Sequence, residues 1–134
     1  MQSTQIILNN IQKIQDSSQN IKNYINSLDK EEYVNLATAY NLGRAGWEQN
    51  YFYTDAYYSF IEKNEDAGIE VTLKILDAEF LTKDIKKKQV QSRYNLHLAN
   101  LEKHDEVYDH DWLGMKPNLI KEVQKGLDML REIS

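Results

Sequence analysis

TQIILNNIQKIQDSSQNIKNYINSL, residues 4–28, carries the strongest periodic signal in the chain. Its apolar positions Ile7, Ile11, Ile14, Ile21, Ile25 and Leu28 recur at alternating steps of four and three, with Ser18 the one polar member of the series. Steps of three and four return side chains to one helical face, so this is the seam of a helix packed on other helices. At 1.5 Å per residue such a helix is ~37 Å long, comparable with the diameter of a domain of this size. Ser17-Ser18 is its weak point, because short hydroxyl side chains compete for backbone hydrogen bonds and can split the helix. Isoleucine at both seam positions also suits self-association, so a homodimer through this helix is the alternative use of the seam.

The same reading extends outward. Asp29 with Glu32 three residues on resembles a capping box, and Tyr33, Leu36, Ala37 and Tyr40 form the apolar stripe that follows. Gly43 is expected to stop this helix and Gly46 to loosen the link after it. Residues 47–64 are rich in aromatics: Tyr53, Tyr57 and Phe60 fit a helical stripe, while residues 51–54 serve equally well as a short strand. Residues 69–80 alternate like a strand at first but continue with helical spacing through Leu73, Leu76 and Phe80, which favours helix. A long helix follows from Asp84 to about Lys103, with Val90, Tyr94, His97 and Leu101 on its seam. Pro117 then precedes a final amphipathic helix carrying Ile120, Val123, Leu127 and Leu130. With one proline and five glycines in 134 residues, little interrupts these helices. The predicted fold is all-α, a single domain over residues 1–134 built as a bundle of five to six helices. The alternative is α+β, with a short hairpin from the 47–54 and 69–75 regions.

Composition narrows the function. The absence of cysteine excludes disulfides, thiolate metal sites and a cysteine nucleophile, and fits a reducing, cytoplasmic setting. Sixteen basic against 21 acidic residues, net −5, argue against general nucleic-acid binding. No apolar run approaches the ~20 residues that a bilayer span requires. No glycine-rich phosphate loop and no serine on a strand-to-helix elbow are present.

Three constellations remain. His104, Glu106, Asp109 and His110 lie in a charged connector and supply a metal-assisted hydrolase as one alternative, with Glu106 and His110 at the helical spacing that chelation uses. Lys83, Lys86, Lys87, Lys88 and Arg93 supply nucleic-acid binding as another, although three consecutive lysines fan out around a helix rather than forming one stripe. Arg44, Trp47, Tyr51, Tyr53, Tyr57 and Tyr58 are the candidate binding residues, since tyrosine and tryptophan offer large rigid contact area with a polar tip. His97, on the seam between Tyr94 and Leu101, reads as a helix-interface histidine and a pH-sensitive contact.

Residues 25–44, INSLDKEEYVNLATAYNLGR, resemble the acidic helix start, mid-helix Leu-Ala and closing Leu-Gly-Arg-Gly of an uncharacterised family of small bacterial helical proteins. Residues 112–127, WLGMKPNLIKEVQKGL, are similar to that family's Leu-Gly-Thr-Pro-like run and its closing Glu-Gly-Leu. Ala45 stands where the family has glycine, one extra residue separates Gly114 from Pro117, and the middle portion is longer. The resemblance implies a compact helical protein, assigns no activity or site residue, and draws attention to Arg44 after a helix end. The sequence therefore predicts a non-catalytic protein-protein interaction module: an adaptor, inhibitor or immunity-type protein of a bacterium or phage. It would use an acidic, tyrosine-rich surface, with no cofactor, no catalytic residue and a protein as its partner.

Overall fold

The computed structural model describes residues 6–9, 11–12, 21–103, 113, 116 and 118–133. Its named helices are α1 (Ile21–Asn26), α2 (Lys30–Ala45), α3 (Asp55–Asp66), α4 (Leu73–Phe80), α5 (Lys83–Lys103) and α6 (Leu119–Glu132), and residues 6–9 and 11–12 are also helical. The fold is all-α. Among the described residues there is no strand, so the hairpin alternative for 47–54 and 69–75 is corrected. Residues 50–53 turn, with Tyr53 at φ 67, and the Thr72 hydroxyl accepts a hydrogen bond from the Ile75 amide to start a helix at Leu73. Helix is thus the outcome for most of residues 69–80, beginning later than the periodicity indicated. Contacts divide the chain into two compact units, Met1–Gly46 with Val90–Ser134, and Trp47–Gln89.

The first unit is organised by α2. Asp29 caps it, Oδ1 accepting from the Glu32 amide at 2.8 Å. Every residue from Tyr33 to Tyr40 is buried, not only the predicted stripe. A helix can be covered all round where its side chains are small enough for neighbours to approach, and Ala37, Thr38 and Ala39 supply that; the Thr38 hydroxyl donates back to the Val34 carbonyl. Gly43 does not end the helix. It lies inside α2, where an added Cβ would fall 1.8 Å from the Glu122 carbonyl oxygen, while a Cβ on Gly126 would fall 1.9 Å from the Ala39 carbonyl oxygen. The residue pairs run in opposite order along the two helices, so α2 and α6 are antiparallel with their backbones in contact. Helix α2 ends instead at Gly46: its amide makes the last helical bond, to the Leu42 carbonyl at 2.8 Å, and its φ of 76 turns the following chain out of the helix.

The second half of α5 runs antiparallel to α2 as well. Lys30 pairs with Glu102 at 2.8 Å, the Asn41 side-chain amide donates to His97 Nε2, and Arg93 Nη2 donates to the Gly46 carbonyl at 2.5 Å. Burial, and then the neighbouring Arg93 guanidinium, hold the His97 imidazole below its ordinary range. Ile7, Ile11, Ile25 and Leu28 are buried as the seam requires, and Leu8, outside the predicted seam, is buried beside them; Ile14, Ser17 and Ser18 lie outside the described residues. Leu8, Asn9 and Gln12 border a cleft of about 300 Å³ whose other wall is Gln124, Leu127, Asp128 and Arg131 of α6.

The second unit is inserted in the sequence between α2 and the second half of α5. Its ends are clasped: the Glu48 amide donates to Gln89 Oε1 at 2.9 Å, and Gln89 Nε2 returns a bond to the Glu48 carbonyl at 2.8 Å. Tyr51, Leu76 and Leu81 form its buried centre, with Trp47, Phe52, Tyr57, Phe60, Ile61, Val71 and Phe80 packed around them. Three threonines, Thr54, Thr72 and Thr82, start α3, α4 and α5 by accepting from the amide three residues on.

Gly126→Ala is expected to cost about 3 kcal/mol or more in urea denaturation, because the new methyl meets backbone that cannot rotate away. Gly68, at φ 74 with open space around its Cβ position, provides the contrast: Gly68→Ala carries only the left-handed penalty of about 1 kcal/mol. Because the His97 value is lowered in the fold, its contribution to stability is complete above the unfolded-state value and is lost as pH falls below about 6.5. The melting temperature should therefore drop on acidification through that range, and His97→Gln should flatten the drop.

Candidate functional site

Aromatic side chains concentrate in the second unit because a segment of 43 residues must fill its core with large rings. The Tyr51 ring stacks on Phe80 at 5.0 Å between centroids and lies 4.7 Å from Phe52; Phe60 meets Phe80 edge-on at 5.4 Å. The Tyr51 hydroxyl donates to Asp77 Oδ1 at 2.5 Å, and Gln49 Nε2 donates to the same carboxylate at 2.9 Å. Burial, reinforced by the Asp77 carboxylate, pushes the Tyr51 hydroxyl far above the ordinary tyrosine range, so this phenol stays neutral and serves the fold.

The ring network continues to the surface. Tyr57 is half-buried and makes edge contacts with Phe52 at 5.4 Å and with Tyr58 at 5.4 Å. Tyr53 is 78% exposed and Tyr58 53%, with centroids 6.4 Å apart and Tyr57 within 6.2 Å of Tyr53. Tyr53 is held outward by a left-handed backbone, which costs a residue with a Cβ about 1–2 kcal/mol. The turn is fixed from both sides, since the Thr54 hydroxyl donates to the Tyr51 carbonyl at 2.7 Å and accepts from the Tyr57 amide.

The six predicted binding residues thus separate. Tyr51 is core. Trp47 is half-buried, with the Lys86 ammonium 5.4 Å from its ring centroid. Tyr53, Tyr57 and Tyr58 form one cluster, and Arg44 is exposed in the last turn of α2, in the other unit. Of the basic residues, Lys83, Lys87 and Lys88 are exposed, Lys86 is committed to Trp47, and Arg93 to Gly46. His104, Glu106, Asp109 and His110 lie outside the described residues; among the described residues no three His, Asp or Glu side chains gather as metal ligands. No described helix is long and apolar enough to cross a membrane.

No protein-family model, curated protein or solved structure matches this chain. Sequence reasoning missed Asp77 and Gln49, whose role depends on a contact across 26 and 28 residues of chain. It expected an acidic surface around the tyrosines but did not place its carboxylates on one face of α3, although Asp55, Glu62 and Glu65 stand at steps of seven and three in the sequence.

Tyr51→Phe is expected to lower stability by about 1–2 kcal/mol in urea denaturation, the cost of removing one partner of a buried charge-assisted hydrogen bond. Because the hydroxyl value is raised in the fold, its contribution is complete below the unfolded-state value and is lost as pH rises above about 10. The variant should therefore show a shallower alkaline loss of stability than the wild type.

Proposed function

We propose that the chain is a non-catalytic protein-interaction module, an adaptor, inhibitor or immunity-type protein of a bacterium or phage, acting in the cytoplasm through the Tyr53-Tyr57-Tyr58 surface. The observation that carries this reading is the pairing of Tyr53 and Tyr58, two large rings exposed side by side at the end of a packed aromatic network. A partner that covers them would gain the burial that folding leaves unused, and rings preset by Tyr57 and the Thr54 turn lose little freedom on binding. The strained backbone at Tyr53 leaves most of its ring exposed although one edge rests on Tyr57, as expected where a side chain is presented for another purpose.

The family resemblance agrees with this division of labour. Both resembling segments, 25–44 and 112–127, fall in the unit built on α2 and α6, whereas the unit that bears the tyrosines, residues 47–89, lies within the longer middle portion between them. We read the first unit as the shared scaffold and the inserted unit as what is particular to this chain.

A Tyr53→Gly, Tyr58→Ala double variant tests the proposal. It should keep the wild-type helical circular dichroism and melt no lower, since glycine relieves about 1–2 kcal/mol of left-handed strain. In affinity purification from cells of the source organism it should lose a protein that the wild type retains. An identical set of co-purified proteins from both would refute the assignment.

A further inference from the structure

The outer face of α3 specifies the chemistry of what covers the tyrosines, an inference that rests on the interaction reading above. Asp55, Tyr58, Glu62, Glu65 and Asp66 are all exposed and fall within about 100° of the helix circumference. Tyr58 is therefore set among carboxylates, three residues after Asp55 and four before Glu62, with the Tyr53 ring 6.4 Å away. The inward face of the same helix carries Tyr57, Phe60 and Ile61, so the sorting of charge to one side is complete. Lys63 is the one basic residue of α3 and sits at the edge of the acidic arc. Between residues 47 and 80 there are eight acidic residues and two lysines.

Carboxylates beside exposed phenol rings suit one class of group. A guanidinium is planar and weakly hydrated, lies flat on an aromatic face and reaches a carboxylate with its edge, whereas an anionic or plain apolar segment meets uncompensated charge here. The unit already holds one cation against a ring, Lys86 over Trp47. We propose that the Asp55-Tyr58-Glu62-Glu65 face, with Tyr53, docks an arginine-bearing basic segment of a partner protein. Tyr53 and Tyr58 supply the surfaces on which guanidinium groups stack, and the α3 carboxylates give the attraction that fixes their position and speeds encounter.

The test is binding of fluorescein-labelled peptides to the full chain by fluorescence anisotropy, using alternating Arg-Gly, Glu-Gly and Pro-Gly repeats. The Arg-Gly peptide should bind while the other two do not, and its affinity should fall at least about tenfold as sodium chloride rises from about 0.05 to 0.5 M. Glu62→Gln with Glu65→Gln should weaken it about fivefold or more, and Tyr58→Ala about threefold with the salt slope retained. Glu31→Gln with Glu132→Gln, which changes net charge equally on exposed residues of the other unit, should leave the affinity unchanged. Equal weakening by both double variants, or binding of the Pro-Gly peptide as well as the Arg-Gly peptide, would overturn the assignment. A photo-cross-linker at exposed Ser59, used in cells of the source organism, separates recognition of arginine from protein binding as such. A cross-linked partner segment rich in arginine supports the inference. A neutral or acidic segment, or a second copy of this chain, removes the inference and leaves the interaction reading standing. Neither cross-linked protein nor peptide binding removes both.

Discussion

Contact between two helix backbones, α2 against α6, is the constraint on which the first unit depends. The Glu122 carbonyl lies against Gly43 and the Ala39 carbonyl against Gly126 so closely that there is no room for a methyl group. Helices with side chains between them stand ~8–10 Å apart, and glycine at the crossing allows a closer approach than that. Close approach is what lets α2 be covered on every side, so that Tyr33, Leu36, Tyr40 and Leu42 can all be buried on a helix of only 16 residues. Once α2 is fixed, its cap at Gly46 offers a carbonyl for Arg93 and its flank offers Asn41 for His97, which aligns the second half of α5. The surface pair Lys30–Glu102 follows the same alignment and adds little energy of its own.

Much of this was legible in the sequence because helical periodicity is a local signal. The Asp29 cap, the apolar stripe of α2, the span of α5 and the face of α6 carrying Val123, Leu127 and Leu130 all follow from spacing. The crossing itself was not legible. Gly43 stands where a helix-ending glycine would stand, and only the partner helix reveals that its missing side chain makes room for a neighbour. Residues 69–72 misled in the opposite direction: their alternation suggested regular structure, but the Thr72 hydroxyl intercepts the Ile75 amide and begins the helix later. At the candidate site, the sequence located the aromatic segment but could not sort Tyr51 from Tyr53 and Tyr58. That sorting depends on a left-handed residue in the turn and on Asp77, which arrives from a distant helix.

The inserted unit shows how one residue type serves two purposes. A buried phenol needs a partner for its hydroxyl, and Tyr51 has one in a carboxylate that also keeps it un-ionised. An exposed phenol needs a reason to be where water surrounds it, and Tyr53 is there despite an unfavourable backbone. Tyr57 links the two settings, packed inward against Phe52 and outward against both exposed rings. In the function proposed here, the rigidity of the core is transmitted through Tyr57 to the surface, and the acidic arc of α3 selects what rests there.

Nuclear Overhauser effects from the glycine α-protons test the backbone contact directly. Strong cross-peaks are expected from Gly126 to the Ala39 α-proton and from Gly43 to protons of Glu122, together with slow amide exchange from Val34 to Leu42. Absence of both cross-peaks, with the α2 amides exchanging as fast as those of the exposed Gly68 turn, would contradict it.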